Sequence, residues 1–336
     1  MRKSALKRHD SANQNIWHRE SAFVAAMEAP RYSYHQIRQY YDRICLEENM
    51  RMYDVNPLSP ADKLEFLGVL QRHSLSTIPM ENISLHYSTY RQISLDGEEL
   101  FAKQVLSPGR GGSSLENNLL LSIVLRSLGY NVYLTGARVK EAEDRPFSAW
   151  CHAVCLVTIG LYNHVVDVGF GPNGPTRPLR VDKNTSENTC AQIAPAHMRL
   201  AWKNIEGNTD PNQRLWVYQY RRNQDSAWQD LYCFSEMEWL HQDFQLINYY
   251  TSTNPRSWFT QTVICSKMVI DSPENPELIG AMILQNELTM CIHGRVESQQ
   301  VFKCEEDRLG ALDKVFGIAL TKSEQDGIKG LVTEIK

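Results

Sequence analysis

Apolar positions change their spacing along the chain, and the changes predict three kinds of structure in turn. From Tyr32 to Leu75 the spacing is helical. In "YHQIRQYYDRICLEEN", Ile37, Tyr40, Tyr41 and Ile44 fall on one face. In "LSPADKLEFLGVLQRHSL", Leu64, Leu67 and Leu70 form a stripe, with Ser59 as cap and Pro60 as first helical residue. "STIPMENISLHYS" interrupts the pattern. The strongest predicted helix covers 113–128 and is closed by Gly129. Beyond it "YNVYLTGARV", "HAVCLVTI", "HVVDVGF", "RLWVYQYRR" and "WQDLYCFS" have the length and β-branched content of strands. From about 236 the pattern is mixed. "EMEWLHQDFQLINYYTS" and "EEDRLGALDKVFGI" read as helices, "SEQDGIKGLVTEIK" as a short last helix, and "WFTQTVICSKMVI" and "LTMCIHGRVE" as strands. Helical, then β, then mixed order predicts an α+β protein with segregated regions, not a βαβ sheet.

Composition narrows the function. The chain has 336 residues, 42% hydrophobic and 22% charged, enough for two or three domains. A net charge of −4 gives no reason to expect nucleic acid or an anionic membrane as partner. No segment approaches the ~20 apolar residues of a membrane-spanning helix. Residues 1–31 read as a polar, solvated arm closed by Pro30. Their basic start lacks the apolar region of a secretory signal. The 8 cysteines are scattered, with no CxxC pair, so neither a disulfide framework nor a metal site is expected, and the expected compartment is the reducing cytosol.

The candidate chemistry starts at "RGGSSLENN" (110–118). Ser113 and Glu116 have capping-box spacing, which makes Ser114 the first helical residue. That position feels the free N–H groups and the positive end of the helix dipole, which favour an anion there. The effect lowers a thiol's pKa usefully and does little for a hydroxyl. Gly111 and Gly112 permit close backbone approach, to a ligand or simply within a loop and cap.

A hairpin supplies the candidate base. In "CHAVCLVTIGLYNHVVDVGF", Gly160-Leu161 suits a two-residue II′ turn. Ile159 then pairs with Tyr162, and counting outward makes His152 and Asp167 diagonal neighbours on one face. Such neighbours lie about 7–8 Å apart at Cα, within side-chain reach. Asp167 sits among valines, where a carboxylate needs a partner.

With these residues in view, the chain resembles the arylamine N-acetyltransferases, and most of all their fungal members. "TIPMENI" (77–83), "RGGSSLENN", "CHAVCLV" (151–157), "VVDVGFG" (165–171) and "STNPRSWF" (252–259) are similar to the family's signatures. So is the spacing of 38 residues from position 114 to His152 and 15 from His152 to Asp167. The resemblance covers about 32–270 and implies three domains with a Cys-protease-like triad. These are an N-terminal helical bundle (32–135) with the nucleophile, a central antiparallel β-barrel (136–245) with His and Asp, and an α/β lid (246–336). It places Ser114 at the nucleophile position, His152 as base and Asp167 as orienter, over a supporting Arg110–Glu81 ion pair. Gly112, Ser113, Phe170 and Gly171 become positions against substrate or coenzyme A. The implied reaction is ping-pong transfer from acyl-CoA, acetyl or malonyl, to an arylamine or hydrazine, by a monomer without a metal. "GFGPNGP" (169–175) is a candidate cradle for the CoA diphosphate, or a plain turn. A malonyl carboxylate would want a cation, for which Arg138, Lys140, Arg145 and Arg177 are candidates.

One atom departs from the family pattern. The family uses Cys where this chain has Ser114. Either an engineered Cys→Ser replacement has silenced the nucleophile, or this is a natural serine form with weak, altered or no transferase activity. Cys151 neighbours His152 in sequence and so points to the other face of the strand. The rival functions are a thiol-type hydrolase of the transglutaminase or papain kind, and a non-catalytic module that binds CoA and arylamine. Stabilisation by CoA separates an acyltransferase from a hydrolase.

Overall fold

Local sequence signals set the element boundaries in the computed structural model, which describes residues 29–183, 189–272 and 275–336. The arm expected at 1–31 therefore lies, but for its last three residues, outside the described residues. Ser33 caps α1 (Tyr34–Arg43) through a capping box with Gln36. Ser59 caps α2 (Pro60–Thr77), with Pro60 as the first helical residue. Such caps contribute about 1 kcal/mol each. "STIPMENISLHYS" breaks the pattern because it holds a two-residue strand, β1 (Met80–Glu81), and the one-turn helix α3 (Ile83–Tyr87). Asp96 caps α4 (Gly97–Phe101), which runs on into a π-helical turn over Ala102–Leu106. α5 (Ser114–Ser127) has the predicted capping box, and Gly129 follows its C-terminus with φ 95°.

Two antiparallel sheets follow. The first contains β2 (Asn131–Val139), β3 (Trp150–Ile159), β4 (Tyr162–Val166), β5 (Leu179–Val181), β6 (Cys190–Ala191), β7 (His197–Lys203), β8 (Leu215–Arg221) and β9 (Gln229–Phe234). Its order is β5-β4-β3-β2-β9-β8-β7-β6. The sheet curls so that β5 approaches β7, yet among the described residues no ladder joins its two edges. The expected closed barrel is thus a curled half-barrel, whose edge strands of three and two residues are too short to close it. Gly160 has φ 63° and Ile159 pairs with Tyr162, which sets the β3–β4 register as the turn requires.

β3 is a wall between two cores. Ala153, Cys155 and Val157 face the cluster built on α1, α2 and α5, while Val154 and Leu156 face the concave side of the sheet. A strand buried on both faces has no polar alternation, and "HAVCLVTI" shows none.

The C-terminal part holds α6 (His241–Thr253), α7 (Trp258–Gln261), β10 (Cys265–Ile270), β11 (Leu278–Leu284), β12 (Glu287–Ile292), β13 (Arg295–Val301), α8 (Glu305–Phe316) and α9 (Lys322–Asp326). Two expected strands differ. "WFTQTVICSKMVI" opens with the helical turn α7 before its strand. "LTMCIHGRVE" is a hairpin, because His293 and Gly294 both have positive φ, as a I′ turn requires. β1 joins this sheet at its β10 edge, pairing Met80 with Ser266 and Glu81 with Cys265. Residues 32–336 form one compact unit.

Candidate active site

Ser114, His152 and Asp167 come together through a residue between them. The Ser113 hydroxyl accepts the Glu116 N–H, and Glu116 Oε2 accepts the Ser113 N–H at 2.7 Å. The cap thus belongs to Ser113, and Ser114 stands one step inside α5. No group among the described residues hydrogen-bonds the Ser114 hydroxyl. His152 Nε2 lies 2.7 Å from Asp167 Oδ2 in a pair that is almost wholly buried. The β3–β4 ladder ends at Cys155↔Val166, so this contact is made beyond it, one residue past the ladder at Asp167 and three at His152.

Asn118, one turn after Ser114, is fully buried and links the first turn of α5 to Asp167 and to β3 beside His152. Its amide donates to Ser114 O at 3.2 Å, Ala153 O at 2.8 Å and Asp167 Oδ1 at 2.9 Å. Its carbonyl accepts the Val168 N–H at 3.0 Å. The Gly169 N–H completes the Asp167 Oδ1 shell at 2.8 Å. Gly169 must be glycine, since a Cβ there would stand 2.6 Å from Ser114 Cα. Donors from Asn118, Gly169 and His152 thus satisfy the buried Asp167 carboxylate. With Nε2 held by Asp167, Nδ1 is the imidazole nitrogen left for a reacting group.

Aromatic rings close the other side. Phe170 meets the His152 ring edge-on at 5.5 Å, and Tyr232 lies 5.4 Å from it. Burial, and next the Asp167 charge, pushes the Tyr232 phenol well above its ordinary range. Its hydroxyl has no hydrogen bond of good geometry among the described residues, so Asp167 is held by Asn118, Gly169 and His152 and not by Tyr232.

Behind the first turn of α5 lies a charge-balanced cluster. Arg110 Nε donates to Glu81 Oε1 at 3.0 Å, and the Ile83 N–H donates to Glu81 Oε2 at 2.6 Å. Lys103, from the π-helical turn, bonds Glu116 Oε1 at 2.8 Å and lies 3.7 Å from Glu81. Burial alone would raise the Glu81 pKa. The Arg110 and Lys103 charges and the Ile83 amide reverse that and hold it at about 2. Gly111 and Gly112 serve this packing. A Cβ on Gly111 would overlap the Pro79 carbonyl, and one on Gly112 would stand 2.6 Å from Glu116 Cβ. The close approach these glycines permit is to Pro79 and Glu116 of the same chain.

The remaining expected residues fall in different places. Gly171, φ 97°, faces Met80 and Ser266. The carbonyls of the 169–175 loop are taken by Gln192 (Pro172 and Gly174), Gln71 (Pro175) and Tyr218 (Asn173), and the Gly174 N–H bonds Gly171 O. These bonds fix the loop mainly through its carbonyl groups. Arg138 stacks on Trp150 at 4.3 Å and bonds Ser148 O. Lys140 pairs with Glu206 and Arg145 with Glu141. Arg177 is exposed beside a groove of about 570 Å³ between α2 and the 176–178 segment. Cys151 contacts Ser148, and Cys155 donates to Asn118 O, its thiol pushed far up by burial and then by the Asp167 charge. Neither replaces Ser114. Asn118 and Lys103 were not singled out from the sequence. A buried Asn in the apolar run "LENNLLLSIVL" was the available signal for Asn118. Asn82 ties two of the motif stretches, bonding the Phe259 and Thr262 carbonyls and the Ile264 N–H.

A helix-borne side chain beside a buried His–Asp pair is the layout of enzymes that pass a group through a covalent intermediate. A family model described as N-acetyltransferase matches residues 63–325. The N-malonyltransferase FDB2 of Fusarium pseudograminearum is 33% identical over 89% of this chain and 93% of its own. Arylamine N-acetyltransferase 2 of Mesocricetus auratus is 26% identical over 85% and 95%. The Mycobacterium marinum arylamine N-acetyltransferase, solved in complex with CoA, superposes with a TM-score of 0.70 at 25% identity, covering 89% of this chain and 99% of that one. The chain belongs to the arylamine N-acetyltransferase family.

Proposed function

We propose that the chain is built as an acyl-CoA-dependent N-acyltransferase of arylamines or hydrazines, with Ser114 at the nucleophile position, His152 as general base and Asp167 as its orienter. The observation that carries this is the buried His152–Asp167 pair at 2.7 Å, tied by Asn118 to the first turn of α5. His152 Nδ1 takes the proton as the atom on residue 114 attacks the thioester carbonyl carbon. The C–S bond then breaks, and the departing CoA sulfur takes that proton. In the second half the amine nitrogen attacks the acyl carbon. His152 removes its proton and returns it to the atom leaving on residue 114. Arg110, Glu81, Lys103 and Glu116 hold the first turn of α5 in place for both halves.

Serine slows both halves. A hydroxyl lies too far above neutral pH for the helix dipole to ionise it, and its ester resists attack by an amine. The surroundings therefore fit a thiol better than the hydroxyl present, and the serine form is read as a silenced nucleophile. FDB2, described as an N-malonyltransferase, supports a carboxylate-bearing acyl donor as well as acetyl. The domain reading that goes with this role has 32–135 carry the nucleophile position, 136–245 the base and orienter, and 246–336 the lid.

The test is intact-mass measurement after incubation with acetyl-CoA and malonyl-CoA. The reading expects slow acylation at Ser114 or none, and rapid acylation of the Ser114→Cys protein that an arylamine discharges. Stabilisation of the folded state by CoA is expected in both forms. A Ser114→Cys protein that neither acylates nor gains stability from CoA overturns the reading.

A further inference from the structure

We propose that the convex face of the half-barrel carries a phosphate-binding site built on Arg199, Arg221 and Trp228. The concave side chains of β7 and β8, Met198, Leu200, Trp216 and Tyr218, belong to the sheet's core. Alternation then turns His197, Arg199 and Arg221 to the opposite face, away from His152 and Asp167. In the ladder His197 pairs with Arg221 and Arg199 with Gln219, so the two arginines are diagonal neighbours. Both guanidinium groups lie over the Trp228 ring, at 4.2 Å and 4.6 Å from its centre.

The cations gathered here have no directly bonded carboxylate among the described residues, although the Asp230 charge acts on Arg199. Neither arginine forms a salt bridge among the described residues. Arg199 Nε donates to the neutral Gln219 Oε1 at 2.7 Å, and Arg221 Nη1 to the Gln224 carbonyl at 3.1 Å. The Asp230 carboxylate is already held by Lys203 at 2.7 Å and by the Gln219 amide at 2.7 Å. Arg221 Nε and His197 Nδ1 are buried atoms with no hydrogen-bond partner among the described residues. Burial, and next the like charge of Arg221, lowers the Arg199 pKa. Two guanidinium forks gathered on one ring, neither in a salt bridge among the described residues, suit a doubly charged tetrahedral oxyanion. Trp228 fixes the forks and leaves their N–H edges to the ligand. The ligand class is therefore phosphate, free or as a phosphomonoester.

The site is tested on the full chain by calorimetric titration with inorganic phosphate and with adenosine 3′,5′-bisphosphate, at constant ionic strength in chloride. Saturable binding of either is expected, weakened about tenfold or more in Arg199→Gln and in Arg221→Gln. Tighter binding of the bisphosphate, lost in the same variants, identifies a phosphomonoester as the source, and equal binding identifies free phosphate. A Trp228→Phe protein keeps a ring beneath the forks and is expected to keep binding. Absence of saturable binding by the unaltered protein overturns the proposal, and so does binding that both arginine variants retain. Neither outcome depends on acyl transfer.

Discussion

Replacing Asn118 by leucine tests whether this residue holds the site together. The side chains are similar in size, so little cavity is created. The Val168 N–H loses its acceptor in a buried setting, which costs about 1–3 kcal/mol. The Ala153 carbonyl and Asp167 Oδ1 each lose a donor, at about 0.5–1.5 kcal/mol apiece. The expected loss is therefore about 2–6 kcal/mol, a large part of a typical domain's stability. Urea unfolding followed by tryptophan fluorescence measures it. The second readout is catalytic. In a Ser114→Cys background, under conditions where the protein stays folded, kcat/KM for arylamine acylation is expected to fall about a hundredfold, the effect of a misplacement near 1 Å. A stability loss below about 1 kcal/mol with unchanged kcat/KM refutes the linking role, and Asn118 is then only a space-filling residue.

Four further outcomes follow from the packing and the charges. Gly169→Ala puts a Cβ 2.6 Å from Ser114 Cα and is expected to cost about 1–3 kcal/mol. In Gly310→Ala the new Cβ in α8 meets, beyond its own helix backbone, no atom of the described residues within 4 Å, and the change is expected to raise the melting temperature. Glu81→Gln leaves Arg110 without its charge partner and is expected to cost about 3–5 kcal/mol by denaturant unfolding. His86 is held at about 4 by burial, with smaller effects from nearby arginines, and bonds Phe259 O and Thr333 Oγ1. Its folded pKa lies below its ordinary value, so its contribution is complete above about pH 6.5 and is lost as pH falls toward 4. The loss is at most about 3 kcal/mol, and unfolding curves of His86→Gln across that window are expected to be flatter than those of the unaltered protein. Equal slopes for the two proteins would remove His86 from the account.

The parts of the site legible in the sequence were those set by short-range rules. The Ser113–Glu116 box and the Gly160-Leu161 turn each depend on a few adjacent residues, and both stand where those residues put them. The turn fixed a register, and the register brought His152 and Asp167 together. What stayed hidden depends on contacts between distant segments. Lys103 reaches Glu116 only because a π-helical turn aims it there. The reason for Gly112 is the Glu116 side chain, and the reason for Gly111 is Pro79, which periodicity does not reveal. β1 is two residues long and exists because β10 lies beside it. The His293-Gly294 turn was visible in principle, as a Gly-containing dipeptide between two strand-like runs, but the apolar run before it masked the hairpin.

The central claim is that everything around residue 114 is set for acyl transfer and only its side-chain atom is wrong. Steady-state acylation of an arylamine by acetyl-CoA and malonyl-CoA, measured for the unaltered and Ser114→Cys proteins side by side, tests it most directly. The account predicts that the cysteine form turns over at least about a hundredfold faster. Equal rates in the two proteins, whether both fast or both absent, would contradict it.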